Sequence, residues 1–187
     1  MLDRRTLLMG LVLPALARGR ALAAPMSGVT AYAFTFNGLD GEGISLASFA
    51  GRPMLIVNTA SQCGYTPQYA GLESLWRRFS SRGLMVLGVP SNDFGSQEPG
   101  GPKEIHATAQ GDYHVSFPLT EKVAVKGANA HPFYRWAASE RPGEIPRWNF
   151  HKYLVDRNGH LKSSFASAVE PTEPQVITAI ETELART

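Results

Sequence analysis

The sequence of 187 residues contains one cysteine, Cys63, and this is the residue best suited to nucleophilic chemistry. A lone cysteine is most often a small, buried hydrophobic residue. The neighbours of Cys63 favour a different role, because Ser61, Gln62, Gly64 and Tyr65 form polar, turn-like surroundings rather than an apolar core. A thiolate in such surroundings is a nucleophile, whereas a buried structural thiol is inert. The sequence therefore predicts a reactive thiol.

The elements on either side of Cys63 predict how this thiol is activated. Residues 54–57 form a continuous apolar run, which is typical of a strand buried on both faces. Residues 67–80 carry apolar side chains at steps of three and four, which predicts an amphipathic helix with Thr66 as its N-cap and Pro67 in its first position. Ligands of open α/β sheets bind beyond the carboxyl ends of the strands. A thiol placed there faces backbone N–H groups and the positive end of a helix dipole, and both favour the thiolate.

Several reactions use a thiol in this position, and the nearby residues favour one of them. Disulfide exchange and copper delivery need a second cysteine three or four residues further on, where this chain has Thr66 and Pro67. Acyl transfer needs a histidine base, and the spacing of the five histidines singles out none. Attack on a peroxide needs only one thiolate and donors for the leaving oxygen, and it produces a sulfenic acid. We expect His131 to lie at a helix entry and the other histidines at surface or hairpin positions, namely His106, His114, His151 and His160.

The rest of the pattern predicts a single α/β domain with a central mixed sheet flanked by helices. Turn residues at 37–41 between alternating segments predict an N-terminal hairpin. Residues 84–89 form a second buried strand, so strand, helix and strand make a parallel βαβ unit. Asn158 and Gly159 between two alternating runs predict a second hairpin, over residues 151–165. Further helices are predicted over residues 103–110, 132–139 and 174–185.

Three blocks of this sequence resemble the glutathione peroxidase family. Residues 58–66 with 68–72 resemble its active-site signature, and residues 90–100 and 148–156 match two further blocks in the same order. The resemblance extends over about residues 30–185. It implies a thioredoxin-like fold and a catalytic tetrad consisting of Cys63, Gln97, Trp148 and Asn149.

The side chains of the implied tetrad suit peroxide chemistry. Gln97 and Asn149 carry amide donors, and the indole N–H of Trp148 can only donate. Donors that converge on the sulfur stabilise the thiolate and orient the peroxide. The resemblance thus implies a peroxidase that reduces hydrogen peroxide or organic hydroperoxides through a sulfenic acid on Cys63, without a prosthetic cofactor or a metal.

Two other functions compete with this interpretation. A one-cysteine peroxiredoxin fits less well, because its threonine usually lies three residues before the cysteine and Thr59 lies four before Cys63. A redox-sensing or thiol-binding module, in which oxidation of Cys63 signals to a partner without efficient turnover, remains the alternative.

Departures from the family pattern concern the second half of the catalytic cycle. Ser91 stands where the family often has a cysteine, and Asp93 replaces an amide by a charge. Residues 106–110 lack the resolving cysteine that many thioredoxin-dependent members carry. Oxidised Cys63 therefore cannot close an internal disulfide, and we expect an external thiol, such as glutathione or a thioredoxin-like protein, as co-substrate. The short connection over residues 139–146 lacks the insertion that builds tetramers in some relatives, which predicts a monomer.

Residues 1–23 are typical of a cleavable export signal. Arg4 and Arg5 precede an uncharged run over residues 6–17, which is shorter than the roughly 20 apolar residues of a membrane-spanning helix. The paired arginines resemble a twin-arginine signal, which a receptor recognises and which does not anchor the protein. We therefore expect a bacterial, periplasmic protein without stable membrane anchoring.

Cleavage after Ala23 or Ala24 changes the meaning of the net charge. The full chain has a formal charge of +2, but residues 1–23 hold four arginines against one aspartate. The remaining chain is left with 14 basic and 15 acidic residues, a balance of −1. A nucleic-acid-binding protein keeps its positive field in the mature domain, here residues 24–187, so the charge excludes that class of partner.

Overall fold

The structure, a computed structural model, describes residues 28–186, and the export signal predicted over residues 1–23 lies outside them. The described strands are β1 (Thr35–Asn37), β2 (Gly43–Ser45), β3 (Met54–Thr59), β4 (Met85–Pro90), β5 (Lys152–Val155) and β6 (Leu161–Phe165). The described α-helices are α1 (Gln68–Phe79), α2 (Pro102–His106), α3 (Pro132–Glu140) and α4 (Pro174–Ala185). None of these helices has the length and apolarity needed to cross a bilayer.

Four strands form a central mixed sheet in the order β4-β3-β5-β6. β3 pairs parallel with β4, and α1 makes the crossover connection that a parallel pair requires. β3 pairs antiparallel with β5, which pairs antiparallel with β6 across the Asn-Gly turn. β1 and β2 form a separate antiparallel hairpin. The predicted βαβ unit, mixed sheet and N-terminal hairpin are therefore confirmed.

The sheet is buried on both faces, which explains the continuous apolar run of β3. Leu55 and Val57 point into a core built with α1 and α4, whereas Met54 and Ile56 point into a core built with α3 and the hairpin. Alternate residues of a strand point to opposite faces, so both sets are apolar. All six residues of β3 are buried, and its carboxyl end is consequently a rigid support for whatever follows it.

Two segments differ from the sequence prediction. The helix predicted over residues 103–110 is α-helical only as α2, and Ala107–Asp112 continues in wider turns of the π type. Tyr113 donates to the carbonyl of Thr108, five residues back, which is the spacing of a π turn. The alternation before β1 is a short 3-10 turn, Ala31–Ala33, rather than strand. The N–H of Ala31 donates to the carbonyl of Gly159 at 2.8 Å, so this segment is held against the second hairpin rather than paired in a sheet.

Candidate active site

Cys63 lies on the tight loop between the carboxyl end of β3 and the beginning of α1. The hydroxyl of Thr66 accepts from the N–H of Cys63 at 3.0 Å and donates to the carbonyl of Ala60 at 2.8 Å. The N–H of Thr66 donates back to the carbonyl of Cys63 at 3.0 Å. The prediction of Thr66 as the N-cap of α1 is wrong, because its hydroxyl is already used in closing this loop and α1 begins only at Gln68. Thr66 thus holds the backbone of the thiol rather than the end of the helix.

The sulfur of Cys63 receives a backbone hydrogen bond. The N–H of Tyr65 points to Sγ at a distance of 3.4 Å, and the cysteine is 7% exposed. This N–H is a donor from which a negatively charged sulfur can accept a hydrogen bond. The small exposed fraction means that a substrate reaches the sulfur with its end rather than with a broad face.

Gln97 and Asn149 form a hydrogen-bonded pair. Asn149 is wholly buried, and its Nδ2 donates to Oε1 of Gln97 at 2.9 Å and to the carbonyl of Phe94 at 3.4 Å. Because the carbonyl end of the Gln97 amide is occupied, its Nε2 is the end left for a ligand, and it hydrogen-bonds to nothing within residues 28–186. The Oδ1 atom of Asn149 is buried and lacks a partner among the same residues.

The ring of Trp148 lies in the same region as Gln97, close to Phe94 and Gly95. The Trp148 ring lies 5.9 Å from that of Phe94, and 38% of the residue is exposed. A Cβ atom added to Gly95 would meet the Trp148 ring at 3.3 Å and Cγ of Gln97 at 3.4 Å, and the φ of Gly95 is +64°. A side chain at position 95 would therefore crowd both the indole and Gln97, and the positive φ also favours glycine there. The indole N–H has no hydrogen-bond partner in the described part of the chain and is available as a donor.

Hydrogen bonds join this cluster to the thiol loop. The N–H of Gln62 donates to the backbone carbonyl of Gln97 at 2.9 Å. Asn58, in β3, donates from Nδ2 to the carbonyl of Trp148 at 3.1 Å, and its Oδ1 accepts from the N–H of His151 at 3.0 Å. The four predicted site residues thus meet at one end of the sheet. The side chains of Gln97, Trp148 and Asn149 make no hydrogen bond to Sγ, whose partner within residues 28–186 is the N–H of Tyr65.

The backbone is strained at two points beside these residues. Ser96 has a φ of +52° and Phe150 a φ of +63°, a region that bulky side chains rarely adopt. Each such residue costs about 1–3 kcal/mol and persists only where its surroundings hold it. Phe150 is held by its N–H, which donates to the carbonyl of Asn58 at 2.6 Å. The strain falls directly before Gln97 and directly after Asn149, so it accompanies the placement of both amides.

Sequence reasoning did not identify Glu98, which is fully buried beside Gln97. Its Oε2 accepts from the hydroxyl of Ser61 at 3.1 Å, and its N–H donates to Oδ1 of Asn92 at 2.9 Å. Burial raises the pKa of the Glu98 carboxyl, while the hydrogen bonds from Ser61 and the charge of Lys122 act in the opposite direction. Glu98 is the only charged residue between positions 94 and 101, and this isolated charge is the feature of the sequence that could have indicated it.

His151 directly precedes β5, the first strand of the second hairpin, but it is buried and does not lie at the surface. Its N–H and carbonyl are both bonded to Asn58, so it belongs to the buried sheet, and the residue is only 6% exposed. Desolvation, and to a smaller extent the charge of Lys152, lower the pKa of His151 to about 4, whereas the charge of Glu144 and a hydrogen bond to its backbone act in the opposite direction. His131 does lie at a helix entry, as predicted, since it is the N-cap of α3 and its ring accepts from the N–H of Phe133.

No group of three or more His, Cys, Asp or Glu side chains within residues 28–186 is arranged to hold a metal ion.

The fold and this loop define a thioredoxin-like protein whose chemistry runs through one thiol. Among solved structures, the apo form of Trgpx has a TM-score of 0.71 and 32% identity, covering 86% of this chain and 98% of that one. A thioredoxin-family thiol:disulfide interchange protein from Chlorobium tepidum has a TM-score of 0.63 and 16% identity, covering 87% and 99% of the two chains. The second likeness shows the fold alone.

Proteins that are similar in sequence identify the family. The glutathione peroxidase family model matches residues 31–138, which include Cys63 and Gln97. A hydroperoxy fatty acid reductase from Synechocystis sp. is 49% identical over 153 residues, covering 77% of this chain and 90% of the relative. A glutathione peroxidase from Lactococcus lactis subsp. cremoris is 39% identical over 145 residues, covering 76% and 92%. The chain belongs to the glutathione peroxidase family, and it is a thiol-dependent peroxidase.

Proposed function

We propose that Cys63 reduces hydrogen peroxide or organic hydroperoxides with Gln97, Trp148 and Asn149 as its catalytic partners. The observation that carries this proposal is the pair of donors, Nε2 of Gln97 and the indole N–H of Trp148, that are without partners within residues 28–186 and lie beside the thiol loop. Unused donors at a nucleophile are what a developing oxyanion requires. Asn149 touches no substrate in this scheme and orients the Gln97 amide.

In the first step the thiolate of Cys63 attacks the terminal oxygen of the hydroperoxide. An S–O bond forms and the O–O bond breaks, and its electron pair leaves with the second oxygen, which takes a proton and departs as an alcohol or as water. The sulfur is oxidised to a sulfenic acid, and the peroxide is reduced. The N–H of Tyr65 stabilises the charge on sulfur before the attack, and Gln97 and Trp148 stabilise the charge on the leaving oxygen.

External thiols complete the cycle. A first thiol attacks the sulfenic acid, forms a mixed disulfide with Cys63 and releases water. A second thiol attacks this disulfide, which restores the cysteine and releases the oxidised reductant. Because the chain has one cysteine, both thiols come from outside, either from a small thiol such as glutathione or from a thioredoxin-like protein. No prosthetic group takes part in either step.

Organic hydroperoxides belong among the proposed substrates. The relative from Synechocystis is named for its action on hydroperoxy fatty acids, and its similarity covers 77% of this chain. Cys63 as a residue is 7% exposed, and such a small opening suits a hydroperoxide group that projects from a larger molecule.

The proposal is tested with the purified protein in two assays. Dimedone added during reaction with one equivalent of hydrogen peroxide should label Cys63 as a sulfenic acid. Steady-state peroxide consumption should then depend on added glutathione or thioredoxin. A protein that is oxidised at Cys63 but consumes no peroxide with any thiol would instead be the redox-sensing module.

We also propose that the protein is exported to the periplasm as a monomer, supported by residues 1–23 and by the short connection over residues 139–146. Replacement of Arg4 and Arg5 by lysine should leave the precursor in the cytoplasm on fractionation. Sedimentation of the mature chain should give the mass of one copy.

A further inference from the structure

A pocket of about 240 Å³ lies between α3 and the segments that precede and follow this helix. Residues 125–130 contribute one side, neighbouring positions of α3 contribute the second, and Ile145 and Pro146 contribute the third. The volume is smaller than the roughly 300–1,000 Å³ of sites for drug-sized ligands, so it suits a molecule of about ten non-hydrogen atoms. None of the four site residues lines this pocket, and none of the steps proposed above uses it.

The side that α3 contributes carries a buried hydroxyl without a partner. Tyr134 lines the pocket and is 2% exposed, and its Oη has no hydrogen-bond partner within residues 28–186. Its ring packs edge-on against Phe133, with centroids 5.3 Å apart, which keeps it in place. Buried polar atoms are nearly always hydrogen-bonded, and an unpaired one lowers stability. An unpaired hydroxyl in a residue that lines a pocket therefore indicates an oxygen of a ligand.

The hydroxyl of Tyr134 serves as a donor rather than as a charge. Burial, and to a smaller extent the neighbouring Tyr153, raise the pKa of Tyr134 well above its ordinary value, so the hydroxyl keeps its proton. Tyr153 does not compete for the same partner, because its own hydroxyl donates to the carbonyl of Glu144 at 2.9 Å. A carboxylate has only acceptor atoms and is a suitable partner for such a donor.

The charged side chains that line the pocket are both cations. They are Lys126 and Arg135, both are exposed, and no aspartate or glutamate lines the pocket. Within residues 28–186 neither cation forms an ion pair: Nζ of Lys126 lies over the ring of Phe94 at 4.6 Å, and Arg135 donates to one backbone carbonyl. The carboxylate of Asp93 is occupied by two backbone N–H groups at 2.6 and 3.0 Å. The pocket therefore offers positive charge to an anion.

The rest of the lining is apolar. Ile145 is one of three large apolar side chains that are exposed in the described part of the chain, and it is 41% exposed. The other apolar side chains that line the pocket are Val125, Ala130, Ala138 and Pro146. Sites for small molecules combine apolar walls with a few polar groups that fix the orientation of the ligand. An inorganic anion would leave these walls uncovered, and a neutral apolar molecule would use neither cation.

We propose that this pocket binds a small organic monocarboxylate with an apolar body about the size of a phenyl ring. The carboxylate accepts a hydrogen bond from the hydroxyl of Tyr134 and is neutralised by Lys126 and Arg135. The apolar body packs against Val125 and Ile145. A tripeptide such as glutathione is too large for this volume. The site is separate from the thiol and does not depend on the proposed function.

The test measures binding of benzoate to the purified protein at pH 7 by isothermal titration calorimetry. Benzoate should bind with one molecule per chain. Benzamide, which has the same body without the charge, should bind about tenfold more weakly, and inorganic phosphate should bind more weakly still. High salt should weaken the binding of benzoate, because salt screens the exposed cations.

Variants assign the binding to this pocket. Tyr134→Phe keeps the ring and should weaken the binding of benzoate about threefold to tenfold, the size expected of one hydrogen bond. Lys126→Gln and Arg135→Gln should each weaken it about threefold and reduce its dependence on salt. Tyr113→Phe and Lys162→Gln are the matched controls, because they change a tyrosine and an exposed lysine outside the pocket, and they should bind benzoate as the wild type does.

A second readout separates a hydroxyl that serves a ligand from one that serves the fold. Tyr134→Phe removes an unpaired buried hydroxyl, so the free protein should unfold at a higher urea concentration than the wild type does. A lower urea midpoint in Tyr134→Phe would show that the hydroxyl stabilises the fold and would contradict the proposal.

Three binding results would also overturn the proposal. In the first, the wild type does not bind benzoate. In the second, Tyr134→Phe, Lys126→Gln and Arg135→Gln all keep the wild-type affinity. In the third, phosphate binds as tightly as benzoate, which would reduce the pocket to a cationic surface. Loss of peroxide reduction is a separate result and is measured at Cys63.

Discussion

The hydrogen bond from Nδ2 of Asn149 to Oε1 of Gln97 determines which end of the Gln97 amide faces a substrate. An isolated glutamine presents either its carbonyl or its NH₂ group, and only the NH₂ group stabilises an oxyanion. Asn149 is buried, and its Nδ2 also donates to the carbonyl of Phe94, so this orientation is set before a substrate arrives. Donors arranged in advance act without reorganisation during the reaction.

The donors themselves can be removed one at a time. Gln97→Ala and Trp148→Phe should each slow oxidation of Cys63 by hydrogen peroxide about tenfold to a hundredfold, because each removes one N–H from the leaving oxygen. Stopped-flow kinetics with the purified variants measures this. Gln110→Ala and Trp76→Phe are the matched controls, since they change the same residue types away from the site. Wild-type rates in both Gln97→Ala and Trp148→Phe would remove these residues from the mechanism.

His151 predicts a particular dependence of stability on pH. Its ordinary pKa is 6.5, and in the folded protein the pKa is lowered to about 4. Burial and the charge of Lys152 cause this decrease, which Glu144 partly offsets. Between these values the unfolded chain binds more protons than the folded one, so the free energy of unfolding falls as the pH drops from 6.5 towards 4. The loss of unfolding free energy should be roughly 1–3 kcal/mol in the wild type and smaller in His151→Gln.

Urea unfolding at pH 7 and at pH 4.5 measures this loss. The exposed His106→Gln is the control and should lose as much as the wild type does. Equal losses in the wild type and in His151→Gln would contradict the assignment.

At the scale of elements, the turn between β3 and α1 is held by one hydroxyl. Thr66 accepts from the N–H of Cys63 and donates to the carbonyl of Ala60, and both groups lie in the buried end of the sheet. Thr66→Val keeps the shape and leaves these groups unpaired, which should cost about 1–3 kcal/mol of stability and slow oxidation of Cys63. Thr66→Ser retains the hydroxyl and should behave as the wild type does. Denaturant unfolding of the two variants measures stability, and stopped-flow kinetics measures the rate of Cys63 oxidation. A Thr66→Val protein with unchanged stability and an unchanged oxidation rate would show that the hydroxyl is dispensable.

Which elements the sequence predicts depends on the range of the interactions that determine them. The Asn-Gly hairpin and the amphipathic α1 follow from residues adjacent in the chain, and both were predicted. Thr66 does not cap α1, because its hydroxyl bonds to the carbonyl of Ala60 instead. The burial of His151 depends on its hydrogen bond to Asn58, 93 positions away. No local pattern carries such information. Glu98 was missed for the same reason, because its burial depends on the fold of the loops around it.

At the scale of the whole molecule, one sulfur must serve both halves of the catalytic cycle. The chain has a single cysteine, and Cys63 is free and buried. After oxidation by one equivalent of peroxide and addition of glutathione, intact mass spectrometry should show a mixed disulfide of Cys63 with glutathione as an intermediate. Excess thiol should then return the reduced mass. A disulfide-linked dimer of two chains as the main product would contradict this scheme, and Cys63→Ser is the control that should form neither species.

The resemblance to the family implies which four residues form the site, but it does not reveal how their segments are connected. Gln97, Trp148 and Asn149 lie about 34 to 86 positions beyond Cys63 in the chain, and they meet because Asn58 of β3 bonds to the Trp148–His151 segment. The pocket at Tyr134 arises in the same way, from α3 and the segments on either side of it. The site and the pocket therefore form only when the whole domain has folded.

The rate constant for oxidation of Cys63 by hydrogen peroxide in the purified wild-type protein tests the central claim most directly. Stopped-flow kinetics measures this rate constant, and the rate constant of free cysteine at the same pH and temperature is the reference. Because Tyr65, Gln97 and Trp148 place N–H donors at the site, we predict that Cys63 reacts far faster than free cysteine. A rate no faster than that of free cysteine would contradict the account of this site as a peroxidase.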